Sequence, residues 1–427
     1  MYKVGRLVVC VVVLGMTLSA AASQGAEKPY AGVVLTYAAQ QTPALVEATK
    51  RFGEFEGETG IKIKLDLMDY DSLVERITID CLSNTKNYDC FWIEPPWLGR
   101  FEWEFEPLEK YINDPILGKG ADISDIPESL LDMFRYKGKL LGLPFESCML
   151  LLGYRKDLLE QYGLSVPETY GEYKTAIERL HNLPETYGLS FMGKRGNPLF
   201  CEYNNLLWPF GGDWFGDGYK PTINSPEAVE ALKFLISLKQ YAPPGVLNYG
   251  WEESATTFIQ GKTAFAAMFT DWVPALEDPE SSKVIGKWNF TLIPRKVKNV
   301  QQSGMVGEGI NADISQKKKE AAWLFIKWLT GKKVTLELAR ARTLGPSRTS
   351  VIEALKDDPK LFYMDTIGES LKTARVYGMK IPEFFELNDV LTARLSQALA
   401  GEKTPQEALD IAQSEWEHIL KEAGYFQ

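Results

Sequence analysis

Between residues 34 and 93 the chain alternates short runs of strand period with stretches of helical period, which commits this region to an α/β lobe. Thr42 and Pro43 open a helix whose apolar face is Leu45, Ala48, Phe52 and Phe55, ending by Gly57 and Gly60. Ile61, Ile63, Leu65 and Leu67 then alternate with Lys62, Lys64 and Asp66, the period of a strand with one wetter face. A second helix is predicted over 72–82, before a strand that ends at Ile93. Ligands of open α/β sheets sit at the carboxyl ends of the strands. Here those ends carry Tyr37, Gln40 and Gln41 after one strand and Glu94-Pro95-Pro96-Trp97 after another. Rings and hydrogen-bonding groups in such places suit a neutral polar ligand.

The amino terminus has a different character. Lys3 and Arg6 precede an apolar run from Leu7 to Leu18 and the small residues Ala20-Ala21-Ala22-Ser23, the layout of a cleavable secretory signal over 1–26. The run is short for a membrane span of about 20 residues. Cys10 follows Val9 and not a small residue, so no lipid anchor is expected. An exported, periplasmic product follows from this reading. Removal of 1–26 changes the formal net charge from −10 to −12, which argues against nucleic acid as a partner. The roughly 400 residues that remain exceed one ordinary core and suit two lobes. Cys81, Cys90, Cys148 and Cys201 allow disulfides or buried thiols alike. With His181 and His418 as the only histidines, and no CxxC pair, neither a metal site nor a cofactor is expected.

Further along, Lys139 to Glu146 breaks the pattern, and the apolar run Met149 to Tyr154 starts a second lobe. Helices are predicted over 169–182 and 225–240, the second capped by Ser225-Pro226-Glu227. The chain turns extended at Gly307 to Asn311, enters a helix over 316–329, and beyond Gly345-Pro346 reads as a helical tail whose last helix is capped by Thr404-Pro405.

Several segments in this order resemble the bacterial extracellular solute-binding proteins of family 1, sugar-capturing subunits of ABC importers. They are Phe52 to Lys62, Gly138 to Glu146, Phe210-Gly211-Gly212-Asp213-Trp214, Phe258 to Ala264, and Gly309 to Ala312 followed by Glu320 to Leu329. The resemblance implies a periplasmic binding protein-like II fold, with two doubly wound lobes, interlobe crossings and a central ligand cleft. It places an N-lobe at 27–145 and 309–345 and a C-lobe at 146–308 and 346–427. It also implies a monomer that closes on a mono-, di- or oligosaccharide or polyol and delivers it to membrane permease subunits. No GxxxxGK[ST] phosphate loop occurs, so the ATPase is a separate chain.

A sugar presents apolar C–H faces and a ring of hydroxyls, which call for aromatic platforms and for carboxylates or amides. Trp97, Trp214 and Trp272 are the candidate platforms, because each stands in a turn beside Pro, Gly or Asp; core filling is the competing role in a chain with 11 tryptophans. Trp323 and Trp328 lie on an amphipathic helix and are expected in the core. The resemblance points to Glu146, after Leu143-Pro144-Phe145, and to the turn Thr270-Asp271-Trp272 as ligand contacts. It also places Glu202, Asn205 and Glu308 in cleft-lining segments, with Arg195 and Arg348 as weaker candidates. Two rival readings stand beside this one. The same fold with a peptide, polyamine or other charged solute as cargo would need several acids converging with aromatics, which Glu94, Glu146 and Asp271 do not rule out. A secreted glycosidase needs an acid pair such as Glu94 and Asp271, but no GxSxG turn or histidine-centred constellation supports other hydrolytic chemistry.

Overall fold

The computed structural model describes residues 28–83 and 85–426; the signal segment expected over 1–26 lies outside them. The strands of its two large sheets are β1 (Val34–Gln40), β2 (Lys62–Met68), β3 (Cys90–Ile93), β4 (Leu143–Glu146), β5 (Met149–Arg155), β6 (Tyr187–Ser190), β7 (Thr263–Phe269), β8 (Trp288–Thr291), β9 (Gln301–Ser303), β10 (Val306–Ile310) and β11 (Ala374–Val376). A five-stranded sheet has the order β2-β1-β3-β10-β4, and a six-stranded sheet has the order β11-β9-β5-β7-β6 with β8 on β5. β1 runs parallel to both β2 and β3, with Tyr37 opposite Leu65 and Cys90. β10 returns antiparallel to β3 and β4.

Local chemistry places the helices. The Thr42 hydroxyl accepts from Leu45 N–H at 3.3 Å and Pro43 takes the first turn, so β1 passes directly into the helix Pro43–Thr49. A second short helix, Phe52–Thr59, ends at Gly60, whose φ of 76° suits the left-handed cap. Thr169 and Glu172 form a capping box at the head of Tyr170–Leu180, and Thr404 and Glu407 form one at the head of Pro405–Glu422. Helix Gln316–Leu329 covers the first sheet. Its Phe325 meets the rings of Tyr37, Phe52 and Phe55 edge-on, Trp328 packs on Phe55, and Trp323 stacks on Tyr111. Trp323 is fully buried in the core as expected, while Trp328 is half-buried against it. Around the second sheet, Phe384–Ala400 and Pro405–Glu422 pack against each other, and Trp416 donates its Nε1–H to the Leu387 carbonyl at 2.8 Å.

Three passages run side by side between the lobes: β4 to β5, β9 to β10, and the segment around 345–346 between two helices. Ser147 N–H donates to Gly345 O at 2.8 Å, Ser147 Oγ–H donates to Pro346 O at 2.9 Å, and Gly304 N–H donates to Cys148 O at 2.7 Å. A Cβ on Gly345 would lie 2.4 Å from the Ser147 carbonyl oxygen, so only glycine admits this approach. Because β10 begins at Val306 and already belongs to the first sheet, the second passage falls earlier than the boundary read at 308 and 309. The segment after 346 also differs from a purely C-lobe tail. Arg348 and Ser350 are tied to Ala121, Asp122 and Asp125 of the first lobe, whereas Tyr363 stacks on Trp288 of β8 in the second sheet. The chain joins the second sheet at β11, a strand inside the stretch read as helical. Among the described residues no helix is long and apolar enough to cross a membrane, and no group of three or more His, Cys, Asp or Glu could hold a metal ion.

Candidate functional site

The ends of β1, β3, β4, β7, β10 and β11 meet at one cavity of about 190 Å³ between the lobes. Gln40, Thr42, Tyr70, Trp92, Glu94, Glu146 and Val306 line it from the first lobe. Cys148, Asn197, Cys201, Trp251, Phe269, Asp271, Trp272 and Tyr377 line it from the second. Carboxyl strand ends gather here because a parallel strand delivers its last residue to the same edge of the sheet as its neighbour.

Glu94 is the best-connected polar group in the cavity. The Tyr377 hydroxyl donates to its Oε2 at 2.6 Å and the Tyr70 hydroxyl at 2.8 Å, while the two phenol oxygens stand 3.2 Å apart. Tyr70 belongs to the first lobe and Tyr377 follows β11 of the second, so this triad bridges the cleft. Burial pushes the Glu94 carboxyl up to about 7, against the two phenol donors that pull it down. The chain around Tyr377 fits closely to the first lobe. A Cβ on Gly378 would lie 2.6 Å from Pro96, and one on Gly99 would lie 2.5 Å from the Ile381 backbone. Lys380 Nζ–H donates to the carbonyls of Asp132 and Arg135, each at 2.8 Å.

Glu146 and Asp271 form a second polar focus. Glu146 is 2% exposed, and its Oε1, like Oδ1 of Asp271, is buried without a hydrogen-bond partner. Burial raises Glu146 well above the ordinary carboxyl range, and the nearby Asp271 charge adds to it. Burial raises Asp271 to about 6, opposed by its own N–H, the Cys148 thiol and the Trp272 N–H. Glu308, close enough to Glu146 to feel its charge, is wholly buried, with neither carboxyl oxygen partnered. Burial and then the Glu146 charge push it upward, while the neighbouring Tyr37 hydroxyl pulls it the other way.

The cavity therefore brings together Gln40, Glu94, Glu146, Asp271 and Trp272 of the residues singled out in the sequence. The others lie elsewhere. Tyr37 and Glu308 are fully buried and do not line the cavity, and Gln41 is exposed, its N–H donating to Met68 O at 2.8 Å. Trp97 is 1% exposed because it packs among Trp92 and Tyr70. Trp214 stacks on Phe200, takes the Arg375 guanidinium over its face and donates Nε1–H to Asn204 at 2.9 Å, so it is core and not a platform. Glu202 and Asn205 line a separate pocket of about 20 Å³ inside the second lobe, where Glu202 accepts from Met192 N–H at 3.1 Å. Arg348 donates to the backbone carbonyls of Thr330, Asp122 and Ala121 at 2.6, 2.9 and 3.0 Å, stands 3.6 Å from Asp125, and does not line the cavity. Arg195 pairs with Asp389 at 2.8 Å on the surface. Cys148 and Cys201 are free thiols in the cavity wall; Cys81 and Cys90 are also free and buried.

Two α/β lobes joined by adjacent passages, with a small cavity walled by both, define a two-lobed binding protein. The model of the bacterial extracellular solute-binding proteins matches residues 38–335, and the chain belongs to that family. It is 28% identical over 407 residues to a mannitol-binding protein of Pseudomonas aeruginosa, covering 87% of this chain and 89% of that one. Among solved structures, an ABC transporter solute-binding protein of Agrobacterium radiobacter K84 in complex with ribitol superimposes with a TM-score of 0.83 at 32% identity, covering 92% of this chain and 100% of that one. A solute-binding protein of Agrobacterium vitis S4 with bound D-mannitol gives a TM-score of 0.79 at 28% identity, over 92% of this chain and 100% of that one.

Proposed function

We propose that this chain is the extracytoplasmic binding subunit of an ABC importer and captures one monosaccharide-sized sugar or polyol. The observation that carries the reading is the cavity itself, closed between two lobes and lined by rings beside carboxyl, amide and hydroxyl groups. Ligand pockets for drug-sized molecules run to roughly 300–1,000 Å³. A cavity of about 190 Å³ favours a single small solute over an oligosaccharide. The ribitol and mannitol complexes of its relatives support the same class.

In this reading Trp272 and Trp251 offer faces to C–H groups, while Gln40, Glu94, Glu146, Asp271 and Asn197 serve the hydroxyls. The ligand touches both lobes at once and so favours the closed arrangement. The protein works in the periplasm after loss of its signal segment, as a monomer, without nucleic acid, and hands its cargo to a membrane permease. It performs no hydrolysis.

Calorimetry on the mature protein with ribitol, D-mannitol, D-tagatose and maltose tests the proposal. Saturable binding of a monosaccharide or polyol, with the ligand recovered intact, is the expected result. Cleavage of a glycoside, or binding of maltose alone, would overturn it.

A further inference from the structure

A buried carboxyl group is ordinarily matched by a basic side chain or by several hydrogen-bond donors, because an unpaired charge away from water is costly. This cavity departs from that rule. Glu94, Glu146 and Asp271 all line it, and no lysine, arginine or histidine is among the lining residues. Glu94 is served by its two tyrosines, but Glu146 and Asp271 each present a buried oxygen without a partner. Glu308 adds a third carboxyl, with both oxygens unpartnered and within electrostatic reach of Glu146. The other titratable groups facing these acids are Cys148, Cys90, the Tyr37 phenol and, further off, Glu94, none of which is a cation. The same wall carries the rings of Trp251, Phe269 and Trp272, whose faces are electron-rich.

We propose that the ligand carries a protonated amine, making it an amino sugar or amino polyol, and that Glu146 and Asp271, backed by Glu308, form the subsite for its ammonium group. The proposal rests on the sugar or polyol reading above and names the class within it. A neutral polyol offers hydroxyls to these oxygens but no charge, so ionising the acids would remain costly with that ligand in place. An ammonium group supplies three N–H donors and the missing positive charge together. Without ligand Glu146 and Glu308 hold protons, since burial lifts both well above the usual carboxyl range, while Asp271, raised to about 6, ionises above that pH. Binding the amine then drives the Glu146 proton off, so that the ammonium meets the Glu146 and Asp271 carboxylates while Glu308 stays protonated. Affinity for the amine accordingly rises with pH up to the point where the ligand itself loses its proton, whereas affinity for a neutral polyol falls as the acids ionise unpaired.

The experiment is calorimetry on the mature protein with matched pairs: ribitol and 1-amino-1-deoxyribitol, D-mannitol and 1-amino-1-deoxymannitol, D-glucose and D-glucosamine. Each is measured at about pH 5.5 and about pH 8, in two buffers of different ionisation enthalpy. The expected result is one amine that binds at least about ten-fold tighter than its neutral partner near pH 8, with proton release. Glu146→Gln should weaken binding of the amine at least about ten-fold more than binding of its neutral partner, abolishing that preference. A neutral member that binds as tightly as its amine, with affinity falling as pH rises, overturns the ammonium subsite but leaves the sugar or polyol reading standing. Binding of neither member of any pair overturns both.

Discussion

Replacing Tyr377 by Phe removes one hydroxyl and, with it, the shortest hydrogen bond of the triad across the cleft, 2.6 Å to Glu94 Oε2. In an open arrangement Tyr377 moves away with the second lobe and Glu94 is hydrated, so the loss falls on the closed form alone. A hydrogen bond to a charged group is worth roughly 1.5–3 kcal/mol, which corresponds to a fall of about 10- to 150-fold in the closed-to-open ratio. Ligand affinity falls by up to the same factor, because only the closed form makes all contacts. Since Tyr377 also lines the cavity, affinity by itself does not separate closure from contact. The decisive assay is small-angle scattering of the unliganded Tyr377→Phe protein, where the radius of gyration should increase. Tyr70→Phe is the control, for it removes a bond of 2.8 Å to the same oxygen from within the first lobe. An unchanged radius for Tyr377→Phe, or an equal increase for Tyr70→Phe, would refute the claim that the triad acts as a latch between lobes.

Glu202→Gln tests buried charge away from the ligand. Burial raises the Glu202 carboxyl from 4.5 to about 7 despite its bond from Met192 N–H. Its contribution to stability is therefore fully present below about pH 4.5 and is lost as pH rises through about 7, a change on the order of 3 kcal/mol. In urea denaturation the Gln variant should gain on the parent between about pH 5 and about pH 8 by a similar amount, with sugar affinity unaltered; parallel pH profiles would refute this. Arg348→Ala strands the carbonyls of Thr330, Asp122 and Ala121, at roughly 1–3 kcal/mol for each group left unpaired. It should lower the denaturation midpoint markedly while ligand affinity measured well below that midpoint stays unchanged. Lost affinity with intact stability would return Arg348 to the site.

The strand ends of the first lobe were legible because hydrophobic period fixes a strand and strand direction fixes which end meets the cleft. That is why Gln40 and Glu94 reach the cavity. Trp97 and Trp214 failed the same reasoning for a definite cause. A turn beside proline or glycine tells where the backbone bends, but not whether the ring turns outward or inward, and both rings found aromatic neighbours inside. Arg348 illustrates a different gap. The carbonyls it serves belong to the loop 121–122 and to Thr330, and local sequence does not reveal which distant segments need a donor.

Tyr377 was hidden by a misread strand and not by any lack of signal. It directly follows β11, whose three residues are too few to display a period of two, and the surrounding stretch is rich enough in helix formers to absorb them. Had Ala374–Val376 been taken as a strand, the rule that picked out Gln40 after β1 and Glu94 after β3 would have picked out Tyr377 as well. Three residues chosen by one topological rule then converge on one cavity from both lobes, and two of them are joined by a hydrogen bond across it. Closure in this protein is thus built from the same strand ends that form the site, so a substitution at Glu94 or Tyr377 should change ligand affinity and lobe closure together.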